Sequence, residues 1–220
     1  MAHFAGMFAY NSKEEMEKNL EDIRKLNIQT GDETENLYKA FFKMTKDIVR
    51  YTKDVQNKNE TISKMQNALI VTLADLVESR DENTGQHIKK TAAYVRIILE
   101  ELKREGVYKE QLTDSFIENV VNSAPLHDIG KIGISAAIIN KQSRLTDEEY
   151  IEIQAHPVIG YEILKNITSM PGLATRARSH HERYDGKGYP DRLKGEMIPE
   201  EGRIICVADC YDAMTSKRAY

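Results

Sequence analysis

A chain of 220 residues, of which 40% are hydrophobic and 30% charged, is long enough for one sizeable domain with an appendage, and it is expected to be soluble and helix-rich. Its net charge of -4 gives no basis for binding a nucleic-acid polymer through bulk charge, so an anionic ligand would need local cations or metal. No apolar run approaches the roughly 18 residues that cross a bilayer. The first predicted element is a polar helix within residues 13–29 that ends near Leu26.

A long repeat of apolar residues begins at Leu37. Its members alternate in spacing between four and three residues, and neither glycine nor proline interrupts them. The seam consists of Leu37, Phe41, Met44, Ile48, Tyr51, Val55, Lys58, Ile62, Met65, Leu69, Thr72 and Leu76. A narrow seam of this length is typical of a coiled coil, so residues 37–76 are predicted to be a coiled-coil linker helix that forms a homodimer. The alternative is a long helix packed on its own domain.

Residues 1–55 resemble the C-terminal part of a HAMP signalling module. The resemblance rests on Thr30-Gly31-Asp32-Glu33 before an amphipathic helix, followed by Phe41, Phe42 and Met44. HAMP modules normally follow a transmembrane helix. The resemblance therefore implies a cytoplasmic chain whose full-length parent is tethered to the inner face of the cell membrane through an upstream segment.

Shorter helical patterns follow from about Leu69. They are predicted at residues 86–105, 113–124, 146–166, 171–182 and 203–216. Thr146 and Glu149 have the spacing of a capping box at the start of one of these helices. Cys206 and Cys210 are expected to be reduced core thiols. Because no run alternates with a period of two, the predicted fold class is all-α, a helical bundle preceded by the long helix.

Five of the six histidines fall in the predicted bundle. With two aspartates they form the candidate metal set His87, His127, Asp128, His156, His180, His181 and Asp209. Imidazole and carboxylate together suit Fe, Mn or Zn, whereas an oxygen-only set would suit Mg or Ca. A helical bundle can direct ligands from several helices to one internal point. The alternative is a scattered set of histidines with structural roles.

The sequence around the two histidine doublets is distinctive. Residues 126–133 read Leu-His-Asp-Ile-Gly-Lys-Ile-Gly, and residues 180–190 read His-His-Glu-Arg-Tyr-Asp-Gly-Lys-Gly-Tyr-Pro. Residues 208–214 read Ala-Asp-Cys-Tyr-Asp-Ala-Met. In their order and spacing these segments resemble the HD-GYP domain, a member of the HD superfamily of metal-dependent hydrolases, and the resemblance covers about residues 69–220. It implies an HD-type helical bundle.

The resemblance implies a phosphodiesterase that hydrolyses cyclic di-GMP to the linear dinucleotide pGpG, with GMP as a possible further product. It also implies two divalent metal ions, Fe or Mn, held by the seven histidines and aspartates. Two metal ions neutralise the charge of a phosphodiester, lower the pKa of a water molecule and stabilise the leaving oxygen. Such an enzyme would act as the output domain of a signalling receptor.

Individual roles follow from the matching positions. Asp128 would bridge the metals and act in catalysis, and Lys131 would bind a substrate phosphate and help protonate the leaving oxygen. Tyr189 would line the substrate pocket, and Arg218 falls where the family binds phosphate. The loop that carries Tyr189 would be shaped by Asp185, Gly186, Gly188 and Pro190.

Two positions depart from the family. Some members have a glutamate four residues before the first ligand histidine, where it serves a third metal, but this chain has Asn83. Two metals are therefore predicted, which favours the linear product. The family usually continues beyond the segment that ends at Tyr220, so the resemblance implies a domain truncated at its C-terminus.

Two other functions stay open at this point. One is a signalling or interaction module that binds a nucleotide or a partner without hydrolysis, motivated by Asn83 and the end at Tyr220. The other is a hydrolase of a different cyclic dinucleotide or nucleotide. It stays open because the sequence identifies no residue that would recognise the base of the substrate.

Overall fold

The computed structural model describes residues 13–80 and 87–216 of the chain. By its internal contacts the chain divides into two compact units, Met1–Met65 and Gln66–Tyr220. All regular structure in the described ranges is helical, which confirms the all-α prediction. None of the described helices combines the length and the apolar character needed to cross a membrane.

The α-helices are, in chain order, α1 Lys13–Lys25, α2 Glu33–Glu78, α3 His87–Arg104, α4 Asp114–Ser123, α5 Ala136–Ile139, α6 Asp147–Ile153, α7 His156–Leu164, α8 Leu173–Ser179 and α9 Glu200–Thr215. Short 3-10 helices form at Ala124–Leu126, Ile129–Gly133 and Gly195–Met197. The polar first helix and the long second helix are confirmed.

One predicted helix is broken in two. The sequence pattern predicted a single helix over residues 146–166, but α6 ends at Ile153 and α7 begins at His156. Pro157 has no N–H to donate to the carbonyl of Ile153, and the His156 side chain contacts that carbonyl instead, with Nδ1 at 2.7 Å. The break therefore creates the position from which His156 points inward. The capping box of Thr146 and Glu149 is confirmed at the start of α6.

In the first unit, α1 packs on the early turns of α2. Met16 and Ile23 of α1 are buried, as is Thr45 of α2, and the Tyr38 hydroxyl donates a hydrogen bond to the carbonyl of Ile23 at 3.1 Å. The face of α2 that α1 covers is not the predicted seam. Most seam residues are exposed, among them Leu37, Met44, Ile48, Tyr51, Val55, Ile62, Met65, Leu69 and Leu76.

The described residues of the second unit form two hydrophobic clusters. One joins α3, α4 and α9 through residues such as Leu99, Val120 and Ile205. The other joins the last turns of α2 to α7 and α8 through Ile70, Ala74, Val77, Leu164, Leu173 and Ala177. Each fully buried aliphatic side chain contributes about 1.5–3 kcal/mol to folding. Ala124 belongs to the first cluster and Leu126 to the second, so residues 124–126 hold the next residue, His127, between them.

Both cysteines are free thiols on α9. Cys206 is half-buried, but Cys210 is exposed, so the expectation of two core thiols is wrong for Cys210. The buried Ala208 shows which side of α9 faces the core. Two further residues turn a helix by about 200°, which carries Cys210 to the opposite side.

Candidate metal centre

The seven predicted metal ligands come from separate elements that converge in the second unit. His87 is the first residue of α3, and His156 is the first residue of α7. His127 and Asp128 lie between two 3-10 helices, His180 and His181 directly follow α8, and Asp209 is on α9. His127, His156 and His180 are almost completely buried. The structure therefore brings ligands from several helices to one internal point, as the sequence argument required.

The ligand atoms form two groups that share Asp128. One consists of Asp128, His156, His180 and His181, and the other of His87, His127 and Asp128. Within each group the potential ligand atoms all lie within 4.8 Å of one another. Asp128 Oδ1 is 3.2 Å from His156 Nε2 and 3.5 Å from His180 Nε2, whereas its Oδ2 is 3.4 Å from His127 Nε2. The two carboxylate oxygens therefore face different groups.

Asp209 extends the second group. Its Oδ1 lies 3.3 Å from His87 Nε2, and its side chain is mostly buried. The structure thus brings all seven predicted residues into one cluster, with Asp209 joined to it through His87.

Three imidazole rings are oriented by the main chain just before them. Nδ1 of His127, His156 and His180 lies 2.7–2.8 Å from the carbonyl oxygen three residues earlier. A carbonyl only accepts, so each Nδ1 carries a proton, and each Nε2 has a free lone pair when the ring is neutral. Hydrogen bonds of this kind fix the ring and the tautomer of a metal-binding histidine. All three Nε2 atoms are directed toward Asp128.

His87 is oriented in another way. Its Nδ1 donates to Oδ2 of Asp212 at 2.7 Å, and the Ser216 hydroxyl donates to the other carboxylate oxygen at 2.9 Å. Burial opposes ionisation of Asp212, but the hydrogen bonds from His87 and Ser216 hold its pKa below the ordinary value. A carboxylate that accepts from a metal-binding histidine sets its ring orientation and makes it a better ligand.

Asp212 is a site residue to which the sequence argument gave no role. The signal was present, because Asp212 follows Asp209 by three residues in a predicted helix, which places both carboxylates on one face. What the sequence could not supply was the position of His87 opposite that face.

The charges of the cluster favour a cation at its centre. Burial alone would raise the pKa of Asp128, but Lys131 and His127 hold it well below the ordinary value. Burial lowers the pKa of His180 to about 4 and that of His181 further still, so both rings are neutral near pH 7 and can act as ligands. For His127, burial lowers the pKa, but the charge of Asp128 more than offsets this and raises it to about 9. Without a metal this ring is therefore protonated near pH 7, and a bound metal would displace the proton on Nε2.

Two buried polar atoms support a metal at this place. His127 Nε2 and Asp128 Oδ1 are inaccessible to solvent and make no hydrogen bond within the described residues. A buried polar atom without a hydrogen bond costs about 1–3 kcal/mol unless another partner replaces it. Both atoms belong to the ligand groups, and the donors around them are imidazole nitrogens and carboxylate oxygens, which suit a divalent transition metal. The residues present fit a metal centre.

Lys131 and Tyr189 lie at the edge of the cluster. Lys131 Nζ is 2.7 Å from Asp128 Oδ2. The Tyr189 ring lies 4.8 Å from the ring of His181 and 6.4 Å from that of His156, measured between centroids. One cationic and one aromatic side chain therefore border the metal ligands.

The loop that carries Tyr189 is fixed by a buried glutamate. Glu182 is only 2% exposed and accepts hydrogen bonds from the backbone N–H groups of Asp191 at 2.7 Å and Leu193 at 2.9 Å. Glu182 was part of the quoted motif, but no role was predicted for it. Pro190 stands inside this loop between Tyr189 and Asp191 and is half-buried.

The other predicted loop residues shape its tip. Asp185 accepts a hydrogen bond from the Lys187 N–H at 3.0 Å and pairs with Arg183 at 2.7 Å. Gly186 has a φ of +76°, which favours glycine. A Cβ on Gly188 would lie 2.3 Å from the backbone nitrogen of Arg183, so only glycine allows the loop to pass so close to its own start. Asp185 braces the turn, and no direct contact with the metal ligands is seen among its described interactions.

Two predicted positions lie outside the described residues. These are Arg218, the expected phosphate contact, and Asn83, the position that some family members use for a third metal.

Comparisons with known proteins agree on one family. A family model described as "HD domain" matches residues 71–220. A "Cyclic di-GMP phosphodiesterase" of Vibrio cholerae is 42% identical over 166 residues, which cover 72% of this chain and 34% of that protein. A "Cyclic di-GMP phosphodiesterase" of Thermotoga maritima is 41% identical over 148 residues, 66% of this chain and 38% of that protein.

A relative with a different printed specificity is also similar. A "3'3'-cGAMP-specific phosphodiesterase 2" of Vibrio cholerae is 36% identical over 154 residues, which cover 69% of this chain and 28% of that protein. This chain therefore spans only about a third of the length of the curated relatives it matches.

Proposed function

This chain belongs to the HD domain family, and from that premise we propose that it is a metal-dependent phosphodiesterase of the HD-GYP type that hydrolyses cyclic di-GMP. The observation that carries the proposal is the sharing of Asp128 between two groups of ligand atoms. One carboxylate placed between two sets of imidazoles is suited to bridge two cations. The printed names of the relatives support a cyclic dinucleotide as the substrate. The sequence motif that ends with Tyr189 and Pro190 matches the HD-GYP type.

The proposed cofactors are two divalent metal ions, Fe or Mn. One would be held by His87, His127, Asp128 and Asp209, and the other by Asp128, His156, His180 and His181. Two bound cations would neutralise the phosphodiester and lower the pKa of an attacking water. Fe and Mn fit the mixed imidazole and carboxylate set better than Mg, which prefers oxygen ligands.

The protein's own side chains would position the substrate. Lys131 reaches the carboxylate of Asp128, so its ammonium lies where it can hold a phosphate oxygen next to the metals and give a proton to the leaving oxygen. Burial raises the pKa of Tyr189 well above the ordinary value, which keeps its phenol neutral. A neutral Tyr189 can stack on a base and donate a hydrogen bond. Arg218 stays a prediction as a phosphate contact.

The product is proposed to be linear pGpG, with GMP as the alternative. Asn83 in place of a third carboxylate supports cleavage of one phosphodiester bond, since asparagine is a neutral and weak ligand. A second substrate, 3'3'-cGAMP, is favoured by one specific observation, the 36% identity to a phosphodiesterase named for it.

The test is hydrolysis by metal-loaded protein. We expect protein purified without oxygen to contain two metal ions and to convert cyclic di-GMP to pGpG faster than it cleaves 3'3'-cGAMP, as measured by chromatography of the products. Asp128→Asn should abolish turnover. The matched control is Asp114→Asn, an exposed aspartate whose carboxylate pairs with Lys103 away from the cluster, and it should leave the rate unchanged. Absence of turnover with both Mn and Fe would overturn the proposal.

The same experiment decides the alternative of a binding module without hydrolysis. Tight binding of cyclic di-GMP without metal and without product would support that alternative. Product formation that depends on metal would reject it.

We propose further that residues 37–76 form a homodimer. The support is the exposed apolar seam of α2, in which Tyr51 is 71% and Met65 60% exposed. A repeated seam of this kind packs against an identical seam by placing each side chain between four residues of the partner helix.

The oligomeric state tests the dimer. Met44→Glu, Ile48→Glu and Val55→Glu together should give a monomer by light scattering, since charges would replace three apolar positions in the first half of the seam. The control carries the same number of new glutamates on exposed positions outside the seam, Lys46→Glu, Asn57→Glu and Lys64→Glu. A seam variant that remains dimeric would contradict the coiled coil.

Some predictions about the longer protein stay predictions. They are the HAMP-like nature of residues 1–55, the domain bounds of 69–220, the cytoplasmic location and the attachment to a membrane through an upstream segment.

A further inference from the structure

Arg80 connects the end of α2 to the segment that carries Lys131. It follows Glu78, the last residue of α2, by two positions. Its guanidinium donates from one terminal nitrogen to the carbonyls of Ile132 at 2.6 Å and Lys131 at 3.3 Å, and from the other to the carbonyl of Ile134 at 3.1 Å. One side chain thus binds three main-chain carbonyls within residues 131–134, at the end of the 3-10 helix.

Arg80 is itself held in place from the other side. The Asn140 side chain donates to the Arg80 carbonyl at 2.7 Å and to the carbonyl of Ala136 in α5 at 3.1 Å. The main chain of Arg80 is therefore fixed by Asn140, and its side chain is fixed by the main chain of residues 131–134.

The bound segment depends on such donors. The last carbonyls of a short helix have no partner inside the helix, so they need donors from elsewhere. Within the segment, the Lys131 N–H donates to the carbonyl of Asp128 at 2.9 Å, and the Ile134 N–H donates to the carbonyl of Lys131 at 3.0 Å. Ile134 is buried, but Ile132 is 50% exposed, so burial holds the end of the segment and not the part next to Lys131.

A small cavity lies between the last turns of α2 and the segment. It is lined from α2 by Ala74, Val77 and Glu78, and from the other side by the metal-ligand residues His87, His127 and Asp128 and by Lys131. The hydrogen bonds of Arg80 bridge the same two elements.

We propose that Arg80 is a positioning residue that fixes Lys131 against Asp128 by binding the main chain of residues 131–134 to the end of α2. The inference rests on the proposed function for the role of Lys131. Arg80 acts through the main chain of residues 131–134 and does not contact the metal ligands in the described hydrogen bonds.

Kinetics of single and double variants test the proposal. General-acid catalysis contributes about 10²–10⁴-fold, so loss of the correct position of Lys131 in Arg80→Ala should lower kcat by about 10-fold or more, with KM changed less. Arg80→Lys should be intermediate, because an ammonium group cannot bind several carbonyls as the planar guanidinium does. Arg96→Ala is the control, since Arg96 forms an ion pair with Glu118 between α3 and α4. It should leave kcat unchanged.

The double variant separates positioning from general destabilisation. If Arg80 acts through Lys131, then Arg80→Ala should have no further effect on kcat in a Lys131→Ala background. Metal content should stay at the wild-type value in Arg80→Ala. An equal loss of kcat in both backgrounds, or a loss of metal, would overturn the proposal.

Hydrogen exchange gives a measurement that does not need turnover. In metal-loaded protein, the amides of Lys131 and Ile134 should exchange at least about 10-fold faster in Arg80→Ala than in wild type, whereas Arg96→Ala should leave them unchanged. Unchanged exchange at both amides in Arg80→Ala would overturn the proposal. If wild-type protein does not hydrolyse cyclic di-GMP, the proposed function fails, and hydrogen exchange still decides whether Arg80 positions Lys131.

Discussion

The two ligand groups that meet at Asp128 are built from the same residue types but are held differently. His156 and His180 in one group, and His127 in the other, are oriented by carbonyls only three residues before them. His87, in the same group as His127, is oriented by Asp212, which is 125 positions away in the sequence. Three rings therefore depend on local chain geometry, and one depends on the packing of α3 against α9.

The two kinds of hydrogen bond are sensitive to different substitutions. A locally anchored ring keeps its orientation as long as its own turn forms. The ring of His87 keeps its orientation only while α3 and α9 stay packed through residues such as Leu99, Ile205 and Ala208. A substitution at Asp212, which orients only His87 among the ligands, should therefore affect one metal and not the other.

The largest effect is expected at the residue that both groups share. Asp128→Asn should lose both metal ions and all hydrolysis, because its two oxygens face different groups and an amide is a neutral, weaker ligand. Elemental analysis and product chromatography measure this. Retention of one metal ion at wild-type affinity would show that the groups do not share a bridge.

Removing one ligand from each group should be less severe and unequal. His181→Ala and His87→Ala should each lower the metal content from two ions to about one. His87→Ala should also destabilise the protein more, since Oδ2 of the buried Asp212 loses the hydrogen bond from His87 at a cost of about 1–3 kcal/mol. Thermal unfolding of metal-free protein tests this. Equal losses of stability would argue against the role of the Asp212 contact.

A glycine sets the spacing between Asp128 and α7. A Cβ on Gly130 would lie 1.9 Å from the carbonyl oxygen of His156, so Gly130→Ala must push the 3-10 segment away from α7. We expect a loss of about 3 kcal/mol in the free energy of unfolding, at the upper end for overpacking. The control is Gly160→Ala in α7, whose Cβ would make an ordinary contact at 3.5 Å. Its stability should change by no more than about 1 kcal/mol. Similar losses in both variants would show that the close approach is not the cause.

The smallest effect is expected from Asp212→Asn. Asparagine keeps the shape and can still accept from His87, but it lacks the charge that makes the ring a better ligand. Loss of such an outer contact weakens metal binding by about 10–100-fold. Only one of the two metals should be affected, as titration calorimetry with Mn can resolve. An equal weakening of both metals would contradict the assignment of Asp212 to His87 alone.

Much of the fold could be predicted because it depends on local patterns. The period of apolar residues identified α2, and the spacing of Thr146 and Glu149 identified the start of α6. The prediction of one helix over residues 146–166 is wrong because a single proline after His156 outweighs a continuous apolar period. The exposure of the seam of α2 was also not readable from the pattern alone, because a period shows that a helix has an apolar face but not what covers it.

By itself, the sequence determined which residue types are available for a metal centre and which of them belong to a recognisable motif, from His87 to Asp209. Only the tertiary structure decided that the ligand atoms fall into two groups around Asp128, that Asp212 orients His87, and that Arg80 binds the main chain next to Lys131. The physical reason is the range of the interactions. Helix periods, caps and carbonyl contacts three residues away act within one turn of chain, whereas a contact across 125 positions exists only after α3 and α9 have packed.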